Sequence, residues 1–429
     1  MKHEHFRWVV VALLFFITAI NYIDRAAISY AIDDIASDFD LTNEQVGLVL
    51  GAFGMGYWFT TFLGGIAVDR YGARTILTIA AVAWSLSMGL MGIVSGFFML
   101  YTLRVLLGLG EGPNFPALTR SVADWLPPKE RAVALSNALV AVPIALAVGG
   151  PIVSELLFYF SWKLTFVLMS GAVVLWIPVW WILFRDKPEQ SRFVSPEELK
   201  VITSSEDDEE KKHPDNEQED MSPRQVWRFL LLNRTLLANN WAFFVFGYYL
   251  FFFMTWMPRY LHQEYDMDLQ QIGWFSILPW LLAALFLWGT GYLSDYIFRK
   301  TNRLRLARSY PIWISQVLTA CSVIPILVFS DIHIRMVGIS LAVGFSMSAN
   351  STYYATNVDM AKSRAGTSLG IMDTLFALSG FLAPVVTGWV VSLTGHFHYA
   401  FVLLVALSLT SVVVVLLFHQ PDRDQKIGA

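Results

Sequence analysis

Apolar runs of bilayer-crossing length recur twelve times along this chain of 429 residues, and no water-soluble core can bury so many. A helix rises about 1.5 Å per residue, so about 20 apolar residues cross the hydrocarbon layer. The runs lie near 8–31, 46–68, 75–95, 97–120, 132–155 and 164–184, then near 236–260, 271–293, 309–330, 333–358, 367–393 and 398–418. With 55% hydrophobic and only 15% charged residues, the composition is that of an integral membrane protein. The first run is long, holds two charges and lacks a small-x-small cleavage site, so it is expected to be a retained span and not a signal peptide.

Charge placement gives the orientation. Of 30 Lys and Arg, Arg25 and Arg104 fall inside runs, and Lys163, Arg259 and Arg335 fall in the loops of one side. The remaining basic residues lie on the other side, which the excess of positive charge makes cytoplasmic, with both termini. The first outer loop carries Asp33, Asp34, Asp38, Asp40 and Glu44 and no basic residue.

The chain divides into a half at 1–184, a cytoplasmic linker at 185–235 and a half at 236–429. Ser204–Asp220 is almost wholly polar, too poor in apolar residues to fold alone, and reads as a solvated tether or an acidic regulatory motif. Ahead of it, Ser195-Pro196-Glu197-Glu198 is a helix start with an N-cap and proline at the first helical position. The halves repeat. Gly65-Ile66-Ala67-Val68-Asp69-Arg70-Tyr71-Gly72-Ala73-Arg74 follows the second run, and Gly291-Tyr292-Leu293-Ser294-Asp295 follows the eighth. The expected fold is therefore all-α, twelve transmembrane helices in two pseudo-symmetric six-helix halves, a transporter design.

The most demanding stretch is Asn21-Tyr22-Ile23-Asp24-Arg25, which puts two charges at membrane depth at a cost of roughly 2.5–3.5 kcal/mol each. In the fourth run Arg104 and Glu111 are seven residues apart, on one helix face and about 10 Å apart along the axis. Two acids and two bases balance, either as structural ion pairs or as a site. For a site, an organic anion needs a fixed cation, and Arg25 is the preferred residue because a guanidinium keeps its charge and grips a carboxylate in two places. Proton coupling needs an acid whose proton affinity can move. Burial favours the protonated form and a nearby cation the ionised form. Glu111 is expected to feel mainly the first, and Asp24, beside Arg25 and within reach of Arg104, mainly the second until substrate takes its arginine.

The Gly-x-x-x-Asp-Arg-x-Gly-x-Arg loop, its second copy and the six-plus-six layout resemble the major facilitator superfamily over essentially the whole chain. Asn21-Tyr22-x-Asp24-Arg25, Arg104-x-x-x-Gly108-x-x-Glu111-x-x-x-Phe115-Pro116, Trp125-x-Pro127-x-x-x-Arg131 and Trp256-Met257-Pro258-x-Tyr260-Leu261 are similar to its anion:cation symporter family of sugar-acid transporters. The resemblance implies Asp24 and Glu111 as the proton-coupling pair, with Arg25 and Arg104 binding substrate or coupling it to protonation. It also implies substrate contacts from Tyr22 and Tyr57, which otherwise read as packing aromatics, and from Asn350, Thr352 and Tyr353. Asp373 departs from the family, whose members often carry asparagine there. A carboxylate at that place repels an anion unless protonated, or recognises a hydroxyl or amino group. By the same resemblance Asp69, Arg70, Arg74 and Asp295 are gate residues at the cytoplasmic side, although loop charges that set topology account equally for Arg70 and Arg74.

The implied activity is proton-coupled import of a small organic anion, a sugar acid such as a hexonate or hexuronate first, by alternating access in a bacterial inner membrane. An amino-acid or zwitterion transporter and a non-transporting nutrient sensor are the alternatives. The expected partners are the anionic substrate, protons and the bilayer, with a monomeric chain, no cofactor and no nucleic acid. Several motifs carry no chemistry. Gly366-Thr367-Ser368-Leu369-Gly370 opens a membrane helix, where small residues serve close packing. Asn233-Arg234-Thr235 is a glycosylation sequon on the cytoplasmic side, Gly149-Gly150-Pro151 matches the Gly-Pro motif of drug antiporters only in part, and His3-Glu4-His5 is too short for a metal site. No nucleotide-binding loop is present, and Cys321 alone allows no intrachain disulfide.

Overall fold

Proline, glycine and capping side chains set where the apolar runs begin, bend and stop. The computed structural model describes residues 5–203, 223–361 and 364–424, so the Ser204–Asp220 tether and His3-Glu4 lie outside the described residues. The first half holds α1 (Phe6–Asp38), α2 (Asn43–Tyr71), α3 (Ala73–Leu90), α4 (Phe97–Glu111), α5 (Asn114–Trp125), α6 (Pro128–Leu139), α7 (Ala141–Tyr159) and α8 (Trp162–Leu183). Two short helices follow, α9 (Pro196–Thr203) and α10 (Pro223–Leu232). The second half holds α11 (Arg234–Tyr265), α12 (Leu269–Phe275), α13 (Ile277–Thr301), α14 (Tyr310–Val328), α15 (Ile332–Ser348), α16 (Asn350–Ala361), α17 (Ala365–Thr394) and α18 (His398–Phe418), and the turn α19 (Pro421–Asp424) comes last. Among the described residues there is no strand.

Each expected run is helical, but four of them are built in two pieces. The fourth, read as one helix, breaks at Gly112-Pro113 between α4 and α5, because proline supplies no amide N–H to continue the ladder. The fifth breaks at Val140, the eighth at Ser276 and the tenth at Ala349. Ten of the described helices or joined pairs are long and apolar enough to cross a membrane, and α2, bent by 46° between Thr61 and Leu63, makes an eleventh. The remaining expected run is the broken α4–α5 pair, which carries Arg104 and Glu111. Leu175, Leu409 and Val413 are more than half exposed, as side chains facing acyl tails must be.

By contacts the chain divides into two compact units. The first comprises Met1–Ala27, Ala52–Ala145 and Tyr159–Glu219. Its helices approach closely where glycine replaces a side chain. A Cβ on Gly56 of α2 would lie 2.0 Å from the Val105 carbonyl oxygen, and one on Gly108 of α4 would lie 2.1 Å from that of Phe53. Only glycine permits this α2–α4 contact. Helix α9 starts as its sequence dictates, with Ser195 Oγ accepting from the Glu198 N–H at 3.1 Å. Glu198 then accepts from the N–H groups of Phe6 and Arg7, both at 3.0 Å, and so satisfies two free donors at the start of α1.

The second unit comprises Ile28–Gly51, Leu146–Phe158 and Asp220–Ala429, so the acidic ends of α1, α2 and α7 belong with the second six crossings. Gly47 and Gly388 meet backbone to backbone there. At the opposite end the chain folds back after α18. The Thr235 hydroxyl donates to Asp424 at 2.7 Å, and the ring of His419 meets the Ser309 hydroxyl at 2.6 Å. Burial pushes the His419 imidazole down to about 4.

Candidate functional site

Asn21 and Arg25 are one turn apart on α1 and share a face, whereas Asp24 projects about 100° away from Arg25. That register decides the pairing. Arg25 Nη2 donates to Glu111 Oε2 at 3.1 Å and to Asn21 Oδ1 at 3.0 Å, and Arg25 Nε approaches the same Glu111 oxygen at 3.3 Å. Both partners are at most 1% exposed. The pair therefore sits inside the first unit and faces neither lipid nor water.

Aromatic rings enclose the guanidinium. Its Cζ lies 4.4 Å from the centre of Phe53, 4.5 Å from Tyr22 and 4.7 Å from Tyr57. Phe53 and Tyr57 are held there by the glycine contact between α2 and α4, which draws the two helices together one turn from Arg104. Cation–π attraction in such a desolvated place is worth about 2 kcal/mol. Any anion reaching Arg25 must displace a ring or Glu111.

Arg104 is equally buried but has no carboxylate in ion-pair range among the described residues. Its Nε and Nη1 lack any acceptor, and the nearest ring, Phe53, is 5.5 Å from its Cζ. The second oxygen of Glu111, Oε1, and one oxygen of Asp24 are also without partners. Trp84 borders Asp24, and Glu111 lies within electrostatic reach of Asp24, Arg25 and Arg104.

The structure brings all four expected charges together and corrects how they pair. Sequence adjacency suggested that Arg25 neutralises Asp24 and that Glu111 stands apart. Instead Glu111 holds Arg25, because a helix turns sequence neighbours to different sides while a residue one turn away on the facing helix comes into line. Arg104, second choice as the free cation, is the one left unpaired. Phe53, Asn21 and Trp84 complete the site, and only Asn21 had drawn notice, as part of its motif.

In the second unit, Asp373 accepts from the Tyr354 hydroxyl at 3.1 Å and has no cation partner among the described residues. Tyr353, expected with Asn350 and Thr352 as a substrate contact, points into the interior instead. Its hydroxyl meets Gln316 Nε2 at 3.2 Å and its ring meets Phe243 at 5.3 Å. Thr352 bonds its own helix through the Ala349 carbonyl, and Asn350 keeps an unpartnered buried Oδ1.

The four expected gate residues each find partners in their own unit. Asp69 lies 3.5 Å from Arg120, and Asp295 lies 2.9 Å from Arg308, which also bonds Asp359 at 2.9 Å. Arg74 stacks on Trp181 at 3.8 Å, while Arg70 lies 5.3 Å from the centre of Tyr71. Between them Gly72 takes φ +84°, with the Asp186 carboxylate where a side chain would stand. At the acidic end Arg259, placed in a loop by the sequence reading, is a buried helical residue. It pairs with Asp33 at 3.1 Å and bonds Asn43 Oδ1 at 3.0 Å.

Known proteins can be set beside this arrangement. A hexuronate transporter of Bacillus subtilis is 32% identical across 98% of this chain and 96% of its own length. A probable sulfoacetate transporter of Cupriavidus necator is 29% identical across 100% and 97%. A probable galactarate/D-glucarate transporter of Bacillus subtilis is 32% identical across 98% and 94%. Among solved structures, a bacterial homolog of the human lysosomal transporter Spinster, inward-facing and unoccupied, aligns with a TM-score of 0.75 over 100% of this chain and 99% of its own, at 15% identity, a likeness of fold alone. The family model of the Major Facilitator Superfamily matches residues 14–384, and with helices that cross the membrane many times and a paired charge site inside them, this chain is an integral membrane transporter belonging to that superfamily.

Proposed function

We propose that the protein is a proton-coupled symporter that imports a small organic anion, a hexuronate or related sugar acid, by alternating access. The observation that carries this is the buried Arg25–Glu111 pair at 3.1 Å beside the unpaired guanidinium of Arg104. The hexuronate, galactarate/glucarate and sulfoacetate transporters that share its full length lend support.

In this reading a substrate carboxylate first meets Arg104, whose N–H groups have no acceptor, and then competes with Glu111 for Arg25. Once Arg25 turns to substrate, Glu111 is a buried carboxylate without countercharge, which costs several kcal/mol unless it takes a proton. Anion and proton thus bind together, and by linkage each strengthens the other. Asp24, within electrostatic reach of Glu111, is the second proton-coupling acid. Tyr22 and Tyr57, already against Arg25, offer hydroxyls to the sugar; Asn350, Thr352 and Asp373 are further substrate contacts in this reading, and Tyr353, turned into the interior of the second unit, is not. The moving bodies are the halves 1–184 and 236–429, joined by 185–235, with Asp69, Arg70, Arg74 and Asp295 at the cytoplasmic gate. The membrane is the bacterial inner membrane, both termini are cytoplasmic, and the chain works as a monomer.

A second reading is favoured by Asp373, a carboxylate with a phenol and, among the described residues, no cation beside it. Such a group suits an ammonium, so the substrate of this reading is an amino acid or another zwitterion. The test is uptake of a labelled hexuronate into proteoliposomes with and without an imposed pH gradient, with amino acids as competitors. Gradient-driven accumulation of the hexuronate supports the leading reading. Uptake indifferent to the gradient, or blocked by amino acids alone, overturns it.

A further inference from the structure

An apolar groove of about 670 Å³ opens between α17 and α18, with α11 as its floor. Its walls are Leu237, Trp241, Phe244, Leu378, Leu382 and Val414, and Arg234 closes one end. Trp241 and Phe244 lie parallel, 5.4 Å apart, as a flat side wall. All three helices cross the membrane, so an apolar groove on them is filled by hydrocarbon and not by water.

The end of the groove is chemically different. A second recess of about 250 Å³ adjoins it through the shared Arg234 and is lined by Asn233, Arg234, Arg423 and Asp424. Asp424 is already satisfied by Arg423 at 2.7 Å and by the Thr235 hydroxyl. Arg423 and the Thr235 hydroxyl, set against the burial that opposes them, hold Asp424 below the usual carboxylate range. Arg234 is exposed and balanced by no carboxylate in ion-pair range among the described residues. It occupies the first position of the 32-residue helix α11, whose positive end adds to its charge.

The approach to this recess is also built for an interface. On α10, Val226, Phe229 and Leu230 pack on the bundle, Trp227 and Leu231 are exposed, and Arg224 and Arg228 occupy a third face. A short helix with packed, greasy and basic faces lies at the headgroup level of a bilayer. This puts Arg234 at the depth of a phosphate and the groove at the depth of an acyl chain.

We propose that this groove binds one acyl chain of an anionic glycerophospholipid whose phosphate is held by Arg234. Zwitterionic lipid lacks the net charge to repay an unbalanced guanidinium, and a free phosphate lacks the chain that fills the groove. Each arginine near a headgroup raises preference for an anionic lipid about fivefold.

The experiment is native mass spectrometry of the full chain in mixed micelles of phosphatidylglycerol and phosphatidylcholine. Photolabelling by phosphatidylglycerol with a reactive group in the acyl chain follows on the same sample. We expect phosphatidylglycerol to be retained about fivefold over phosphatidylcholine, label on α11, α17 and α18 around Leu378, and no displacement by inorganic phosphate. Arg234→Gln should bring the ratio to about one, and Leu378→Trp should lower retention of both lipids. Equal retention by the wild type, displacement by inorganic phosphate, label spread evenly over the lipid-facing surface, or a preference that survives Arg234→Gln would each overturn the proposal. The wild-type arms stand by themselves should a variant fail to fold.

Discussion

Replacing Arg104 by glutamine should move stability and binding in opposite directions. Without ligand, the guanidinium is 1% exposed and two of its nitrogens have no acceptor, so the fold carries a desolvated charge relieved only by the longer-range attraction of Glu111. Glutamine removes that charge, and the ligand-free variant should melt higher by at least about 1 °C, the shift that roughly 1 kcal/mol gives for a chain of this length. The bound state loses instead. A charge-assisted hydrogen bond contributes about 1.5–3 kcal/mol, so hexuronate affinity should fall about 10- to 150-fold. Thermal melting of the detergent-purified protein gives the first quantity and titration of its tryptophan fluorescence gives the second. A variant that melts lower without ligand would refute the claim that Arg104 is unpaired, and unchanged affinity would refute its place at the substrate.

Other substitutions probe other parts. Asp33→Asn removes the partner of Arg259 and should loosen the acidic end; with Cys321 replaced by serine, a cysteine at the buried Ala31 should react severalfold faster with an impermeant maleimide, and an unchanged rate would remove Asp33–Arg259 from any closing role. Asp373→Asn should leave hexuronate affinity equal or higher under the leading reading, whereas a fall of about tenfold or more for an amino-bearing ligand, the loss of one charge-assisted pair, would favour the zwitterion. His419, held neutral down to about 4 against an ordinary 6.5, contributes stability that is whole above pH 6.5 and is lost as pH falls from there to 4, up to about 3 kcal/mol. His419→Gln should therefore flatten the acid side of the melting profile, and a profile unchanged between pH 6.5 and 4 would contradict the burial argument.

Much of the architecture was legible because the bilayer imposes one rule, an apolar run of fixed length, on every crossing. The runs at 398–418 and 164–184 match α18 and α8 within two residues at each end. Breaks were less legible, since Pro113 stops a helix while Pro151, Pro178 and Pro384 sit inside theirs, and tertiary packing decides between the two outcomes. Arg259 shows the limit of charge counting. Its sign placed it outside a span, but Asp33 supplies the countercharge that lets it be buried. At the site, composition gave the four charges and helical geometry withheld their pairing. Arg25 answers to Glu111, 86 positions away, and Asp373 to Tyr354, 19 positions away. The close approach of α2 to α4, which seats Phe53 and Tyr57 against Arg25, rests on Gly56 and Gly108, packing that a single chain does not advertise.

Coupled transport by this protein would turn on the exchange of Arg25 between Glu111 and a substrate carboxylate, with a proton neutralising the carboxylate that Arg25 leaves. The direct measurement is paired in one preparation of proteoliposomes, net accumulation of labelled hexuronate under an inward pH gradient and counterflow exchange without one, for wild type and Glu111→Gln. A glutamine cannot bind and release the coupling proton, so the variant should exchange substrate across the membrane yet fail to concentrate it. Gradient-driven accumulation by Glu111→Gln at the wild-type level would contradict the mechanism.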